Sequence, residues 1–207
     1  MRLLAFGDSI TYGAWDAEGG WVERLKKMAH ATTVASNGGN KIQVINLGIG
    51  GNTSTSLLAR MESEIESRAS AGWPFVFIIA IGTNDGRAID NKPEVTIEKF
   101  AENIDQIITI AGKYTDKIVL LGIPPIGSRL LNFKGQIYSD DTIKMYSNVI
   151  ERTAKKRGVI FVPLRPIFEL SESKNLFAYD SLHPGDEGHE LIVKAMLPHL
   201  ENLGVSL

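Results

Sequence analysis

A serine that follows an apolar segment near the amino terminus is the first residue of this chain suited to chemistry. The apolar residues 3–6 lead directly into Gly7-Asp8-Ser9. A serine hydroxyl is a weak nucleophile, so it needs a base that removes its proton as it attacks. Serine is also a common helix cap, and that role alone would explain Ser9. A catalytic interpretation of Ser9 therefore depends on a matching base elsewhere in the chain.

His183 is the histidine that we favour as this base. Asp180 precedes it by three residues, and a proline follows it. A carboxylate at that spacing can reach the Nδ1 hydrogen of the imidazole, which leaves Nε2 facing the serine and stabilises the imidazolium that forms. The sequence therefore predicts a triad of Ser9, His183 and Asp180. The histidines that we do not expect to act directly in catalysis are His30, His189 and His199.

Hydrogen-bond donors for a reacting carbonyl oxygen form the third requirement. Attack on an ester carbon places negative charge on its oxygen, and donors held in place beforehand lower that barrier. The predicted donors are the Ser9 N–H, the Gly51 N–H and the side-chain amide of Asn84. Gly48 lies in the same glycine-rich block and is an alternative donor, but we favour Gly51, directly before Asn52. Tight turns at the glycines and an Asx-type turn at Asn84 are the structural alternatives.

These residues follow the strands of a predicted α/β fold. Segment 75–81 is apolar on both faces, as expected of a central strand covered on both sides by helices. Strand followed by helix, five times over, predicts right-handed crossovers and a parallel three-layer sheet, in which ligands bind at the carboxyl ends of the strands. The predicted strands are residues 3–6, 42–47, 75–81, 118–123 and 159–162. The predicted helices, from the spacing of apolar residues, are 21–28, 57–65, 97–111, 141–156 and 191–203.

The composition is ordinary for a globular protein. The 207 residues, 43% of them hydrophobic and 22% charged, suit one domain over residues 1–207. A net charge of −2 provides no basic field that would attract nucleic acid or an anionic membrane. Cysteine is absent, which excludes disulfides and thiolate chemistry. Because the first apolar segment is too short for a signal peptide and no long apolar stretch occurs, we expect a cytoplasmic chain without an integral membrane segment.

Four blocks carry these residues: 7–13, 46–53, 82–86 and 180–184. Together they resemble the SGNH hydrolases, the GDSL-type lipases and esterases named for their Ser, Gly, Asn and His. Residues 7–10 (GDSI) are similar to the nucleophile block, with isoleucine in place of leucine. The other matching positions are Gly51, Asn84, Asp180 and His183. The resemblance extends over residues 7–184, nearly the whole chain. It implies a flavodoxin-like α/β/α fold with a five-stranded parallel sheet, and ester hydrolysis through an acyl-enzyme intermediate without cofactor or metal.

The resemblance leaves the ester open. Tyr12, Trp15 and Arg87 lie beside the blocks and are predicted substrate contacts. The connection 124–138 is longer than usual, which favours a lid. It carries the apolar residues Leu130, Leu131 and Phe133. These residues favour short acyl or lysophospholipid-like esters over sugar acetates or thioesters, although they would equally suit core packing or a contact within a homo-oligomer.

Three other classes of protein compete with this interpretation. A nucleotide- or phosphate-binding α/β protein would carry G-x-G-x-x-G after its first strand, but block 48–53 follows the second strand and lacks the third glycine. A metal-dependent phosphoesterase would favour paired D-x-H and H-x-H ligands, and neither motif occurs. An inactive binding module would not need every chemical position filled. Asp8 and Asp85 are among the ligands that such a phosphoesterase would use. We interpret them instead as carboxylates that hydrogen-bond local backbone and shape their loops.

Overall fold

Helices account for much of the described structure. A computed structural model describes residues 1–69, 72–128, 130, 135–173 and 175–207. Two of the apolar residues assigned to a candidate lid, Leu131 and Phe133, lie outside this described part. The helices are α1 Ser9–Tyr12, α2 Gly20–Ala35, α3 Ser54–Glu66, α4 Ile97–Gly112, α5 Asp140–Arg157, α6 Arg165–Glu169 and α7 Asp186–Asn202. None of these helices is long and apolar enough to cross a membrane.

A parallel sheet lies at the centre of the fold. The strands found in the described ranges are β1 Arg2–Gly7, β2 Gln43–Gly48, β3 Phe75–Ala80, β4 Ala88–Ile89, β5 Lys92–Pro93, β6 Ile118–Leu121, β7 Gln136–Ile137 and β8 Ile160–Val162. Five of them form a parallel sheet in the order β2-β1-β3-β6-β8. Helices cover both of its faces, so the predicted three-layer α/β/α fold with a five-stranded parallel sheet is confirmed.

The side chains of β1 show how the sheet separates two apolar cores. Leu4 and Phe6 belong to the core beneath α3, α4 and α5. Leu3 and Ala5 belong to the core beneath α2 and α7. Successive residues of a strand point to opposite faces of a sheet, so a strand that is apolar throughout can supply both cores at once.

A second, antiparallel sheet was not predicted from the sequence. It has three strands in the order β5-β4-β7, and each of them contains two residues. Strands this short show no hydrophobic alternation that would reveal them. Because β7 belongs to this sheet, part of the connection 124–138 is held by backbone hydrogen bonds against the segment that follows β3.

The register of the central strands brings three of the sequence blocks to the same level. Gly7, at the end of β1, pairs with Gly48 on β2 and with Ala80 on β3. The loops after these strands therefore begin side by side at one edge of the sheet, where ligands bind in open parallel sheets.

Close backbone packing fixes α1 against the end of β2. A Cβ atom placed on Gly48 would lie 2.2 Å from the backbone nitrogen of Tyr12 and 2.8 Å from the carbonyl oxygen of Asp8. Both contacts are with backbone, so a side chain at this position cannot be accommodated by a rotamer change. Gly48 therefore serves the packing of α1 against the sheet.

The Gly48→Ala variant is expected to lower the free energy of unfolding by about 1–3 kcal/mol, because the added methyl group must displace α1. Gly50→Ala is the matched control, since a Cβ at Gly50 meets nothing within 4 Å. This control should change the free energy of unfolding by less than about 0.5 kcal/mol. Urea denaturation followed by circular dichroism measures both values, and equal midpoints for the two variants would contradict this account of Gly48.

Candidate active site

Ser9 is the first residue of α1, immediately after β1. Asp8 caps this helix, and its Oδ1 accepts a hydrogen bond of 2.9 Å from the Ile10 N–H. The cap turns the chain sharply at the edge of the sheet, so that the Ser9 side chain lines a large cleft. The expectation that Asp8 binds local backbone is confirmed.

His183 lies between Ser9 and Asp180. Its Nε2 is 2.8 Å from the Ser9 Oγ, and its Nδ1 is 2.6 Å from the Asp180 Oδ2. An ionised carboxylate only accepts hydrogen bonds, so Nδ1 carries the proton and Nε2 accepts from the serine hydroxyl. The Asp180 carboxylate is buried, and the imidazole is nearly so. Folding thus brings together the three residues predicted to form a triad.

The turn that contains His183 is held by its own hydrogen bonds. Asp180 Oδ1 accepts from the backbone N–H groups of Leu182 and His183, at 3.0 and 3.1 Å. Ser181 has a φ of 58°, in the left-handed region that a residue with a side chain adopts only when its surroundings impose it. Its carbonyl accepts from the Gly127 N–H at 2.8 Å. One carboxylate therefore orients both the turn and the imidazole ring.

Asn84 presents its side-chain amide to the same cleft. Its Nδ2 donates to the Asn52 carbonyl oxygen at 3.0 Å, and its Oδ1 accepts from the Tyr138 hydroxyl at 3.2 Å. A primary amide has two N–H groups, so one of them stays available to a ligand. Because both ends of the amide are held, its orientation is set before any ligand binds.

The two candidate glycines differ in whether their N–H groups are engaged. The Gly48 N–H donates to Asn46 Oδ1 at 3.0 Å. The Gly51 N–H has no acceptor within the described part of the chain, and Gly51 lines the cleft with Ser9 and Asn84. Gly51, which has a φ of 77°, is therefore the better placed of the two to donate to a ligand.

Asp85 connects two of the loops. Its carboxylate accepts two hydrogen bonds from Ser54, one from the backbone N–H at 3.0 Å and one from the hydroxyl. Asn103 on α4 donates to the same hydroxyl at 2.9 Å. The expectation of a purely local contact is wrong for Asp85, because Ser54 lies 31 positions earlier in the chain. Burial raises the pKa of Asp85 to about 6 and that of Asp8 to about 7.

Arg60 on α3 is a residue of the site that the sequence did not single out. Its Nε donates to Asn52 Oδ1 at 2.9 Å, while its Nη2 donates to the carbonyl oxygens of Leu47 and Gly7 at 2.8 and 3.1 Å. Asn52 is the residue whose carbonyl binds the Asn84 amide. Arg60 thus fastens the loop after β2 to the ends of two strands.

The cleft has a volume of about 950 Å³ and opens widely to solvent. Its lining includes the three predicted substrate contacts Tyr12, Trp15 and Arg87. The Trp15 side chain is 62% exposed, and its ring lies 6.3 Å from the His183 ring and 5.8 Å from that of the exposed Tyr179. Trp15 also has a φ of 67°, an unusual conformation for a bulky residue. Arg87 is held by an ion pair with Glu94.

His189 shows why spacing alone does not identify the base. Asp186 precedes it by three residues, but the Asp186 carboxylate binds Arg24 at the surface. The His189 imidazole is fully buried, and its Nδ1 accepts from the Trp21 N–H at 3.3 Å. Burial lowers its pKa to about 4, so it is neutral at physiological pH.

In the described ranges, no group of three or more His, Asp and Glu side chains is arranged to hold a metal ion.

Two relatives and a family model connect this chain to known proteins. The model described as GDSL-like Lipase/Acylhydrolase family matches residues 5–191. An acetylxylan esterase of Geobacillus stearothermophilus is 26% identical over 215 residues, which cover 95% of this chain and 92% of that protein. The Bacillus subtilis (strain 168) protein named uncharacterized lipoprotein YqeF is 30% identical over 126 residues, 60% of this chain, and the match spans about half (49%) of its length. The expected cytoplasmic location stays a prediction.

A solved structure supports the same fold. The lipase/acylhydrolase from Enterococcus faecalis superposes with a TM-score of 0.76 at 23% identity, covering 97% of this chain and 95% of that one. The family model matches well over half of the chain, over the region that carries all four blocks. The chain therefore belongs to the GDSL-like lipase/acylhydrolase family, the SGNH hydrolases that its sequence resembles, and is a carboxylic ester hydrolase.

Proposed function

We propose that this chain is a serine esterase in which Ser9 is the nucleophile, His183 the general base and Asp180 the residue that orients it. The observation that carries the proposal is the 2.8 Å contact between Ser9 Oγ and His183 Nε2. As the Ser9 oxygen attacks the ester carbon, its proton passes to Nε2, and the imidazolium is stabilised by the buried carboxylate. The carbonyl oxygen becomes negatively charged in the tetrahedral intermediate.

The proposed donors to that oxygen are the N–H groups of Ser9 and Gly51 and the free amide N–H of Asn84. Ser9 begins α1, where N–H groups have no carbonyl partner within the helix. Donors that are already oriented stabilise the developing charge without reorganising during the reaction. Collapse of the intermediate transfers the His183 proton to the leaving alcohol and leaves an acyl group on Ser9. Water then repeats the sequence and releases the acid.

Short acyl esters are the substrate class that we propose. Of the three apolar loop residues that favoured a lipid-like ester, Leu131 and Phe133 lie outside the described residues. The cleft is open and its lining includes charged and amide side chains, among them Glu23 and Asn46. Such a lining favours a small acyl group joined to a polar alcohol over a long acyl chain, which needs a continuous apolar wall.

A carbohydrate O-acetyl ester is the second candidate, and a specific feature favours it. His183 must protonate the leaving alcohol, so the alcohol lies on the side of the site where Trp15 stands against the imidazole. Exposed aromatic rings at that position suit the flat apolar face of a sugar ring. The acetylxylan esterase to which the chain is similar over 95% of its length supports the same substrate class.

Ser9→Ala is expected to reduce hydrolysis of p-nitrophenyl acetate by at least about 10³-fold, because no other group in the site replaces the nucleophile. Initial rates at saturating substrate measure the loss. Circular dichroism and the thermal midpoint should match those of the unaltered protein, since the change removes one oxygen atom. Turnover retained in a folded Ser9→Ala variant would overturn the proposed mechanism.

Asn84→Ala is expected to lower kcat by about 10²–10³-fold and to change KM far less, because the Asn84 N–H is needed mainly when the carbonyl oxygen becomes charged. Full kinetic curves with p-nitrophenyl acetate separate the two constants. A variant that raises KM while kcat stays constant would place Asn84 in ground-state binding and count against its assigned role.

Trp15→Ala is expected to lower kcat/KM for an acetylated xylo-oligosaccharide by about 3- to 10-fold more than for ethyl acetate, whose alcohol has no ring, because only the sugar ester loses a ring contact. Taking the ratio of the two esters cancels any effect of the change on His183. Leu170→Ala, at an exposed position that does not line the cleft, is the control and should leave the ratio unchanged. Equal losses for both esters would exclude recognition of the alcohol by Trp15.

A further inference from the structure

The two ends of the Asn84 amide are held by partners of opposite character. The Asn52 carbonyl oxygen can only accept, so the group facing it at 3.0 Å must be the NH₂ end. The opposite end, Oδ1, lies 3.2 Å from the Tyr138 hydroxyl. Rotating the amide by 180° would set two oxygens against each other at Asn52. The orientation that leaves one N–H for a ligand is therefore imposed jointly by Asn52 and Tyr138.

The direction of the Tyr138 hydrogen bond is also determined. The guanidinium of Arg87 lies 3.5 Å from the Tyr138 oxygen, and an arginine N–H can only donate. The tyrosine oxygen therefore faces a cation, and its single hydrogen is directed to Asn84 Oδ1. Burial raises the pKa of the Tyr138 hydroxyl, so the hydroxyl keeps that hydrogen at neutral pH.

The small antiparallel sheet is what places Tyr138 beside Arg87. Ala88 on β4 pairs with Ile137 on β7. In an antiparallel ladder, the residue before Ala88 stands opposite the residue after Ile137, so Arg87 and Tyr138 occupy the next position of the register. Arg87 is kept there by Glu94 and by Gln136, whose side-chain oxygen accepts from it at 3.2 Å. The sheet thus brings a residue from the connection 124–138 to the loop after β3.

We infer that Tyr138 is a positioning residue of this esterase, whose hydroxyl orients and polarises the Asn84 amide as a donor to the reacting carbonyl oxygen. The inference rests on the proposed function, since it concerns the same site. Donation to an amide oxygen draws electron density from the nitrogen, which makes the remaining N–H a stronger donor. In this role Tyr138, which also lines the cleft, acts on the reaction through Asn84, and this dependence separates its role from that of a residue that merely supports the fold.

Tyr138→Phe removes the hydroxyl and retains the ring. It is expected to lower kcat for p-nitrophenyl acetate by about 3- to 10-fold, the effect of one neutral hydrogen bond, with KM within about twofold. The decisive measurement is the same substitution in an Asn84→Ala background. There it should change kcat by less than about 1.5-fold, because the amide through which it acts is gone. A loss in that background as large as in the parent protein would overturn the inference.

Tyr146→Phe is the matched control. Tyr146 is also buried, and its hydroxyl donates to the Val95 carbonyl rather than to Asn84. It should lower the thermal midpoint while kcat of the folded enzyme stays within about twofold. A fall in kcat equal to that of Tyr138→Phe would mean that any lost buried hydroxyl has this effect, and would also overturn the inference.

A second reaction and a second variant test the same dependence. Diethyl p-nitrophenyl phosphate phosphorylates nucleophilic serines, and its phosphoryl oxygen takes the place of the carbonyl oxygen. Its inactivation rate should fall in Tyr138→Phe by the same factor as kcat. Should that variant fail to fold, Arg87→Gln, which withdraws the guanidinium from Tyr138, should lower kcat about twofold in the parent and not in Asn84→Ala. Equal losses in both backgrounds would reject the inference.

The outcome for Tyr138 can be separated from that of the proposed mechanism. If Ser9→Ala is inactive and Tyr138→Phe shows no dependence on Asn84, the esterase mechanism stands and only the role of Tyr138 fails. If Ser9→Ala keeps its activity, the proposed mechanism fails, and the inference about Tyr138 fails with it.

Discussion

A hydrogen bond of 2.8 Å joins the Ser9 hydroxyl to the His183 imidazole across 174 positions of the chain. The bond exists because β1 lies inside the sheet and ends level with its neighbours, and because the turn before α7 returns to that edge. The proposed proton transfer needs the imidazole held within a fraction of an ångström. Asp180 meets this need by binding both the ring and the backbone of the turn.

The side of the site that would hold the oxyanion depends on polar groups that are buried at a cost. Asp85 is fully buried, and its raised pKa shows that the charged form is disfavoured there. Its hydrogen bonds with Ser54 offset part of that penalty. Through them the loop after β3 is tied to the start of α3. Arg60 and Asn52 tie the same region to the strand ends. The proposed donors are thus oriented by folding, which is what electrostatic stabilisation of a transition state requires.

The sequence was most informative where function depends on residues that follow predicted strands. Ser9 and Asn84 could be singled out because each stands in a block after an apolar segment, and His183 because Asp180 precedes it by three residues. Folding brings Ser9, Asn84 and His183 into one cleft. Hydrogen bonds between side chains of different loops could not be predicted in that way. The contact of Asp85 with Ser54 crosses 31 positions, and that of Tyr138 with Asn84 crosses 54. The second contact depends on strands of two residues, which leave no periodic signal.

The side chains on the two sides of the cleft differ in burial and in hydrogen bonding, and this difference bears on substrate specificity. On one side the Asn84 amide is buried and held at both ends, which suits the step common to all esters in the proposed mechanism, the development of negative charge on the carbonyl oxygen. On the side of His183, where the alcohol leaves in the proposed mechanism, Trp15 and Tyr179 are exposed, and the Trp15 ring lies beside both the Tyr179 ring and the imidazole. Substitutions there can alter which alcohol is accepted without disturbing the donors. A fold arranged in this way keeps one chemistry while its substrates vary.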